Sequence, residues 1–365
     1  MVCIKAPDVQ TSHIERYHSL QQQNSSTPDK YTVIIMGKSW VLAKEFEGNP
    51  TEANFRQIDE QVSAPKQGEF VCEAICLTVD PYMRTVMAGS SIGKVLMGEQ
   101  VARVTESKNP EYPVGSVVQG YFGWRSRALV NPKENPDALK IHKVPDLGGK
   151  DPSIALGVLG MTGVTAYLGF LDVCQPKAGD VVFVNGAAGA VGSVVGQIAK
   201  IKGCTVIGSA GTKQKCDWLK SLGFDQVFNY KETKLDDALK ACAPKGIDCF
   251  YDNVGGEASY NVLQHMNNYG RMCVCGAMST YTTDKEQPMM PSPFFTVLVK
   301  RLKVQGFVIF DWNSKFEASR AELLKWVNEG KLKYKETIHK GFDNMPKAFA
   351  SLFTGASQGK MIVKV

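Results

Sequence analysis

The sequence predicts an α/β chain in which a doubly wound parallel sheet is joined to a second, mostly β domain. Three observations carry that expectation. The apolar, β-branched run Val181-Val182-Phe183-Val184 breaks into Asn185-Gly186-Ala187-Ala188-Gly189-Ala190-Val191-Gly192 and then into Ser193-Val194-Val195-Gly196-Gln197-Ile198-Ala199-Lys200, which reads as strand, tight turn and helix. Short apolar strands and helical stretches alternate from there to about residue 275, the pattern of repeated βα units. Residues 38–145 show instead short β-type runs separated by turn signals, the spacing of a mostly β domain.

Length and composition fit this division. At 365 residues the chain exceeds a single core and is expected to hold two domains. An apolar fraction of 44% beside 21% charged residues is that of an ordinary globular protein. The net charge of +6 is spread among scattered lysines, arginines and acids, without the basic stripe of a nucleic-acid binder. No apolar segment approaches the ~20 residues of a membrane span. Ten cysteines are present, at 3, 72, 76, 174, 204, 216, 242, 249, 273 and 275. They form no C-x-x-C pair, and the five histidines, His13, His18, His142, His265 and His339, have no ligand spacing. Reduced, buried thiols and no metal site are therefore expected.

In chain order, residues 1–30 are polar, with Gln21-Gln22-Gln23-Asn24-Ser25-Ser26. They carry neither an apolar signal core nor an arginine-rich transit pattern and read as a disordered extension. Met36, before Gly37-Lys38-Ser39-Trp40, is an alternative start. Strands are expected at 70–79, 100–104 and 116–121, and Asp80-Pro81-Tyr82-Met83-Arg84 closes the first of them in a turn, either as turn chemistry alone or at the mouth of a pocket. Beyond Ser153 helices are expected at 213–222, 235–243, 257–266 and 314–329, with strands at 205–209, 226–229, 247–252, 271–275 and 361–365. The last strand is expected to return to the first domain, giving a β domain of 31–159 and 335–365 around a parallel-sheet domain of 160–334.

The turn between strand and helix carries the chemistry. Small residues at 187, 189 and 192 match A-x-G-x-x-G and let the backbone approach a pyrophosphate, towards which the next helix points its free N–H groups and positive dipole end. About 20 residues on, a nucleotide site for NAD would place an acid for the ribose 2'-hydroxyl. Here Gly211-Thr212-Lys213-Gln214-Lys215 supplies two lysines and no carboxylate, which favours a 2'-phosphate and hence NADP(H). Asn253-Val254-Gly255-Gly256 and Gly276-Ala277-Met278 stand at the ends of later strands, where small residues leave room for the nicotinamide half.

Together, Asp80-Pro81-Tyr82-Met83-Arg84, the A-A-G-A-V-G turn, Phe228-Asn229-Tyr230-Lys231, Asp252-Asn253-Val254-Gly255-Gly256 and Ser279-Thr280-Tyr281 resemble the zinc-independent medium-chain reductases of the prostaglandin and alkenal reductase type. The resemblance spans residues 38–365. It implies a GroES-like catalytic domain beside a Rossmann domain, and a cytoplasmic homodimer that uses NADPH to reduce the conjugated double bond of enones and enals. Those substrates include 15-oxo-prostaglandins and lipid-peroxidation alkenals. It further implies that Lys215 and Tyr230 hold the 2'-phosphate, that Asn253 lines the nicotinamide site, and that Tyr281 stands beside the nicotinamide ribose and the substrate carbonyl. Thr165, Ala187, Ala188, Gly189, Ala190, Val191, Gly192, Cys275, Gly276 and Phe307 fall at cofactor positions. The chain departs from the family at Ser357, where an asparagine is usual, and at Thr162, where proline is usual.

Enone reduction needs a hydride at the β-carbon, a donor to the enolate oxygen and a proton at the α-carbon. Tyr281, or a ribose hydroxyl, is the candidate donor. Met278, Phe294, Phe295, Phe307 and Phe310 are candidates for an apolar wall. Two alternatives share the cofactor turn: a quinone oxidoreductase of the same superfamily, and an NADPH-binding protein without turnover.

Overall fold

The computed structural model describes residues 35–88, 90–135, 139–283, 289 and 291–365; the polar stretch 1–30 lies outside them. Strands β1 (Ile35–Leu42) and β2 (Phe55–Val62) form an antiparallel pair. The alternating run β3 (Phe70–Thr78) is the centre of a second sheet and leads through the Asp80-Pro81 turn into helix α1 (Met83–Ala88). Strands β4 (Gln100–Ser107), β5 (Val117–Gly120), β6 (Arg127–Val130) and β7 (His142–Lys143) follow.

After α2 (Met161–Leu168) the pattern changes to β8 (Val181–Val184), α3 (Gly192–Ile201), β9 (Thr205–Ala210), α4 (Lys213–Ser221), β10 (Gln226–Asn229), α5 (Leu235–Cys242), β11 (Ile247–Asp252), α6 (Gly256–His265), β12 (Met266–Val274), α7 (Phe294–Lys300) and β13 (Lys303–Gly306). These strands pair in the order β10-β9-β8-β11-β12-β13, all parallel. That is the Rossmann order, and its reversal between β8 and β11 opens a crevice at the strand C-terminal ends. The strands of this sheet are buried on both faces: Val182 and Val184 pack with the helices of one side, Phe183 and Phe250 with those of the other, which is why they read as continuous apolar runs.

Helix α8 (Phe316–Asn328) returns the chain towards the first sheet, followed by β14 (Glu336–Lys340), α9 (Met345–Leu352) and β15 (Lys360–Lys364). Strand β15 pairs parallel with β14 and antiparallel with β3, with Ile362 opposite Thr78, so the end of the chain completes the sheet begun before residue 131. Several boundaries differ from the sequence expectation, among them the end of β4, which runs to Ser107 rather than 104, and two with a clear local cause. Strand β12 starts at Met266 rather than 271, because Met266 continues the ladder opposite Ile247. Helix α8 starts at Phe316 rather than 314, because Trp312 leaves helical geometry (φ −111°, ψ 24°) and the preceding turns are of the tighter 3-10 type.

Among the described residues nine cysteines are free thiols, seven of them buried, and no helix is long and apolar enough to cross a membrane.

Candidate active site

At the switch point the ends of β8 and β11 are tied by side chains. Asn185 donates from Nδ2 to Asp252 Oδ1 (2.6 Å), and its Oδ1 accepts the Asn253 N–H (2.7 Å). Asn253 donates in return from Nδ2 to the Asn185 carbonyl (2.9 Å). Asp252 Oδ1 also accepts the N–H groups of Val254 and Gly255, both at 2.9 Å. This fixes the turn in which Gly255 and Gly256 adopt φ of +73° and +68°.

The glycine turn needs its small residues for packing reasons that can be measured. A Cβ on Gly192 would lie 2.6 Å from the Gly186 carbonyl oxygen and 2.8 Å from Ala187 Cα, and one on Gly189 would lie 3.2 Å from that same oxygen. Gly186 itself has φ +54°. Ala187 is fully buried in the core, and helix α3 starts at Gly192, its first turn tied back to the glycine turn by the Ser193 N–H, which donates to the Gly189 carbonyl (3.1 Å), and the Val194 N–H, which donates to the Val191 carbonyl (3.0 Å).

A cavity of about 580 Å³ opens over this turn, a size in the range of small-molecule sites. Ala188, Gly189, Ala190, Lys215 and Tyr230 line it, together with Asn185, Ser209 and Ser357. The tip of β9 presents no carboxylate. Thr212 caps α4 by accepting the Lys215 N–H (3.3 Å). The two lysines then separate: Lys213 is exposed and pairs with Asp217 (2.6 Å), whereas Lys215 enters the cavity and donates from Nζ to the Gly355 carbonyl (2.7 Å). Burial and the neighbouring Lys231 charge hold the Lys215 ammonium below the usual lysine range. Tyr230 stands at the cavity lip, 55% exposed, over Gly211, where a Cβ would be 2.7 Å from its hydroxyl. Two cations beside a ring and a glycine turn suit a phosphorylated dinucleotide, so the residues present fit NADPH.

The remaining sequence candidates fall into two groups. Asn253, Gly276 and Tyr281 come together: a Cβ on Gly276 would lie 3.0 Å from the Asn253 carbonyl and 3.4 Å from the Tyr281 hydroxyl. That hydroxyl accepts the Ala277 N–H (3.2 Å), and burial pushes the phenol up, so it keeps its proton. Thr165, Cys275 and Phe307 gather around Tyr251, whose hydroxyl donates to the Thr165 carbonyl (3.0 Å) and touches Cys275. Phe307 stacks on Trp312 with centroids 5.0 Å apart. Thr165, Cys275 and Phe307 do not line the cavity, nor do Asn253, Gly276 and Tyr281, nor Ala187, Val191 and Gly192, the last three acting through the shape of the turn. Met278 does line it, and Phe310 packs against Tyr121 between the two halves of the chain. Phe294 and Phe295 stand on an outer surface, 76% and 75% exposed, and are no wall of this cavity.

Sequence reasoning assigned no individual role to Lys231, Asn185 or Lys360 and placed Asp80 only within its turn. Lys231 lies beside Tyr230 in a quoted motif; Asp80 and Lys360 meet only through the fold, 280 residues apart. Of the departures, Ser357 lines the cavity and Thr162 donates to the Gly157 carbonyl (3.0 Å). Among the described residues no group of three or more His, Cys, Asp or Glu side chains is arranged to hold a metal.

Comparison with known proteins bears on the family. Residues 38–137 match the family model described as the N-terminal domain of oxidoreductase, and residues 190–328 that described as zinc-binding dehydrogenase. Prostaglandin reductase 1 of Bos taurus is 45% identical over 341 residues, covering 91% of this chain and 100% of that protein. The 2-alkenal reductase (NADP(+)-dependent) of Nicotiana tabacum is 37% identical, covering 91% and 98%. The crystal structure of CurA in complex with NADPH from Vibrio vulnificus superposes with a TM-score of 0.83 at 37% identity, covering 90% of this chain and 99% of that one. The chain belongs to the zinc-independent medium-chain dehydrogenase/reductase family, in its prostaglandin reductase branch, and is an NADPH-dependent oxidoreductase.

Proposed function

We propose that this chain reduces the conjugated carbon–carbon double bond of α,β-unsaturated ketones and aldehydes, of the 15-oxo-prostaglandin and 2-alkenal kind, with Tyr281 as the hydrogen-bond donor to the substrate carbonyl. The observation that carries this reading is the state of Tyr281. Its oxygen is occupied by the Ala277 N–H and its proton is retained by burial, at the strand ends beside Asn253 and Gly276.

NADPH, when bound, supplies the hydride that goes to the β-carbon. The chain's own groups do the rest. Lys215, Tyr230 and Lys231 hold the 2'-phosphate, and the turn from Gly186 to Gly192 takes the diphosphate. Asn253, Cys275, Gly276, Thr165 and Phe307 shape the nicotinamide end. A phenol donating to an oxygen on which negative charge develops stabilises the enolate more than the starting ketone, which is what lowers the barrier. The α-carbon then takes its proton from solvent. In this reading residues 31–159 and 335–365 form the catalytic domain and 160–334 the cofactor domain.

The protein is further proposed to act as a homodimer through α7 and β13. Phe294, Phe295 and Leu298 are exposed together on α7, beside Val304 on β13, the edge strand of the parallel sheet. An apolar patch next to an open sheet edge is the surface that a second copy covers.

The test is steady-state consumption of NADPH with a panel of enones, enals and quinones. Turnover with enones and enals above that with quinones is expected. No consumption with any enone or enal rejects the reading.

A further inference from the structure

One buried ion pair joins the cofactor turn to the opposite wall of the cleft. Gly359 bridges to Gly189 and donates its N–H to the Ala188 carbonyl (2.9 Å). Gly359 has φ +68°, and a Cβ there would lie 2.0 Å from the Lys335 carbonyl, so only glycine fits this strap. The next residue, Lys360, is 3% exposed and lines the same cavity. Its side chain runs past Gly157 and pairs through Nζ with Asp80.

Asp80 is buried as well, and its second oxygen accepts the Thr78 hydroxyl (2.7 Å). The Asp80 carbonyl accepts the Met83 N–H (3.0 Å), and the Pro81 carbonyl the Arg84 N–H (3.1 Å), which starts α1. From α1, Val86 packs against the cluster of Met97, Tyr121 and Leu139, which Phe310 also joins from the other half of the chain. Glu99 and Glu336 also face Lys360 electrostatically, but they accept from Gln119 and Ser153 respectively, and Asp80 takes the ammonium directly. A buried pair of this kind adds little net stability and much directional constraint.

We propose that Lys360 is a positioning residue that transmits occupancy of the glycine turn to the Asp80–Ala88 turn and helix, and so sets the substrate wall once the cofactor is in place. The inference rests on the cofactor lying at the glycine turn. Coupling of this sort is a free energy shared between two sites through an element that both bias.

The test is amide hydrogen exchange of segment 79–88 in the full chain, with and without NADPH, for wild type, Lys360→Met, Lys360→Arg and Asp80→Asn. NADPH is expected to slow exchange there about tenfold in wild type and in Lys360→Arg. In Lys360→Met and Asp80→Asn, with NADPH at saturation, the slowing is lost and the enone KM rises about tenfold. Persistent slowing in Lys360→Met, or an unchanged KM, overturns the inference. Should Lys360→Met fail to fold, Asp80→Asn keeps the Thr78 contact and the shape of the turn and decides by the same outcomes. Absence of binding heat for NADPH in wild type would instead overturn the cofactor assignment, and this inference with it.

Discussion

Replacing Lys215 by alanine separates the two nicotinamide cofactors. In the free protein the Lys215 ammonium donates to the Gly355 carbonyl at 2.7 Å, so a 2'-phosphate must displace that bond. A hydrogen bond to a charged partner contributes about 1.5–3 kcal/mol and a neutral one about 0.5–1.5 kcal/mol. The net gain on exchanging one for the other is therefore about 1–2 kcal/mol, or roughly 5- to 30-fold in affinity. Burial and Lys231 already disfavour the charged ammonium, so a doubly negative ligand relieves that cost. NADH, which has no 2'-phosphate, leaves the Gly355 bond in place and should lose little. Calorimetric titration of both cofactors against wild type and Lys215→Ala is the assay. NADPH affinity is expected to fall 5- to 30-fold while NADH changes less than about twofold. An equal loss for both would refute the assignment, because it would mean that Lys215 serves the fold and not the phosphate.

Tyr281→Phe is expected to lower turnover about 100-fold, the scale of one lost oxyanion donor, with NADPH affinity unchanged by calorimetry; unaltered turnover would reduce Tyr281 to packing. Since burial raises the Tyr281 phenol above its ordinary value, and loss of the proton removes the donor, turnover should hold through neutral and mildly alkaline pH and fall only above ~10. A pH profile with a loss centred below that would point to another group. Dialysis against a strong chelator should leave full activity, measured before and after; inactivation that zinc reverses would contradict a metal-free site. Leu298→Asp places a charge in the exposed face of α7 and is expected to give a monomer by light scattering where the wild type gives a dimer.

Much of this architecture is legible in the sequence because the relevant signals are local. The β8 run, the small residues after it and the Lys215 position all lie within about 35 residues, and the strand and helix periods around them are strong. The preference for a 2'-phosphate likewise follows from a missing carboxylate, which needs no coordinates. What the sequence hides is contact over distance. Helix α9 and strand β2 are set by packing, Phe349 against Phe55 and Trp124, with no local period to announce them. Phe294 and Phe295 look like pocket material by type, yet α7 turns them outward. Lys213 and Lys215 are indistinguishable as letters, and only the pitch of α4 sends one to Asp217 and the other into the cavity. Asp80 and Lys360 carry no shared motif and meet because β15 lies beside β3.

Transfer of label from deuterated NADPH to an α,β-unsaturated aldehyde tests the central claim most directly, with the product examined by NMR. The account expects a saturated aldehyde with the deuterium on the former β-carbon. Deuterium on the carbonyl carbon of an alcohol product, or no transfer from bound NADPH, would contradict it.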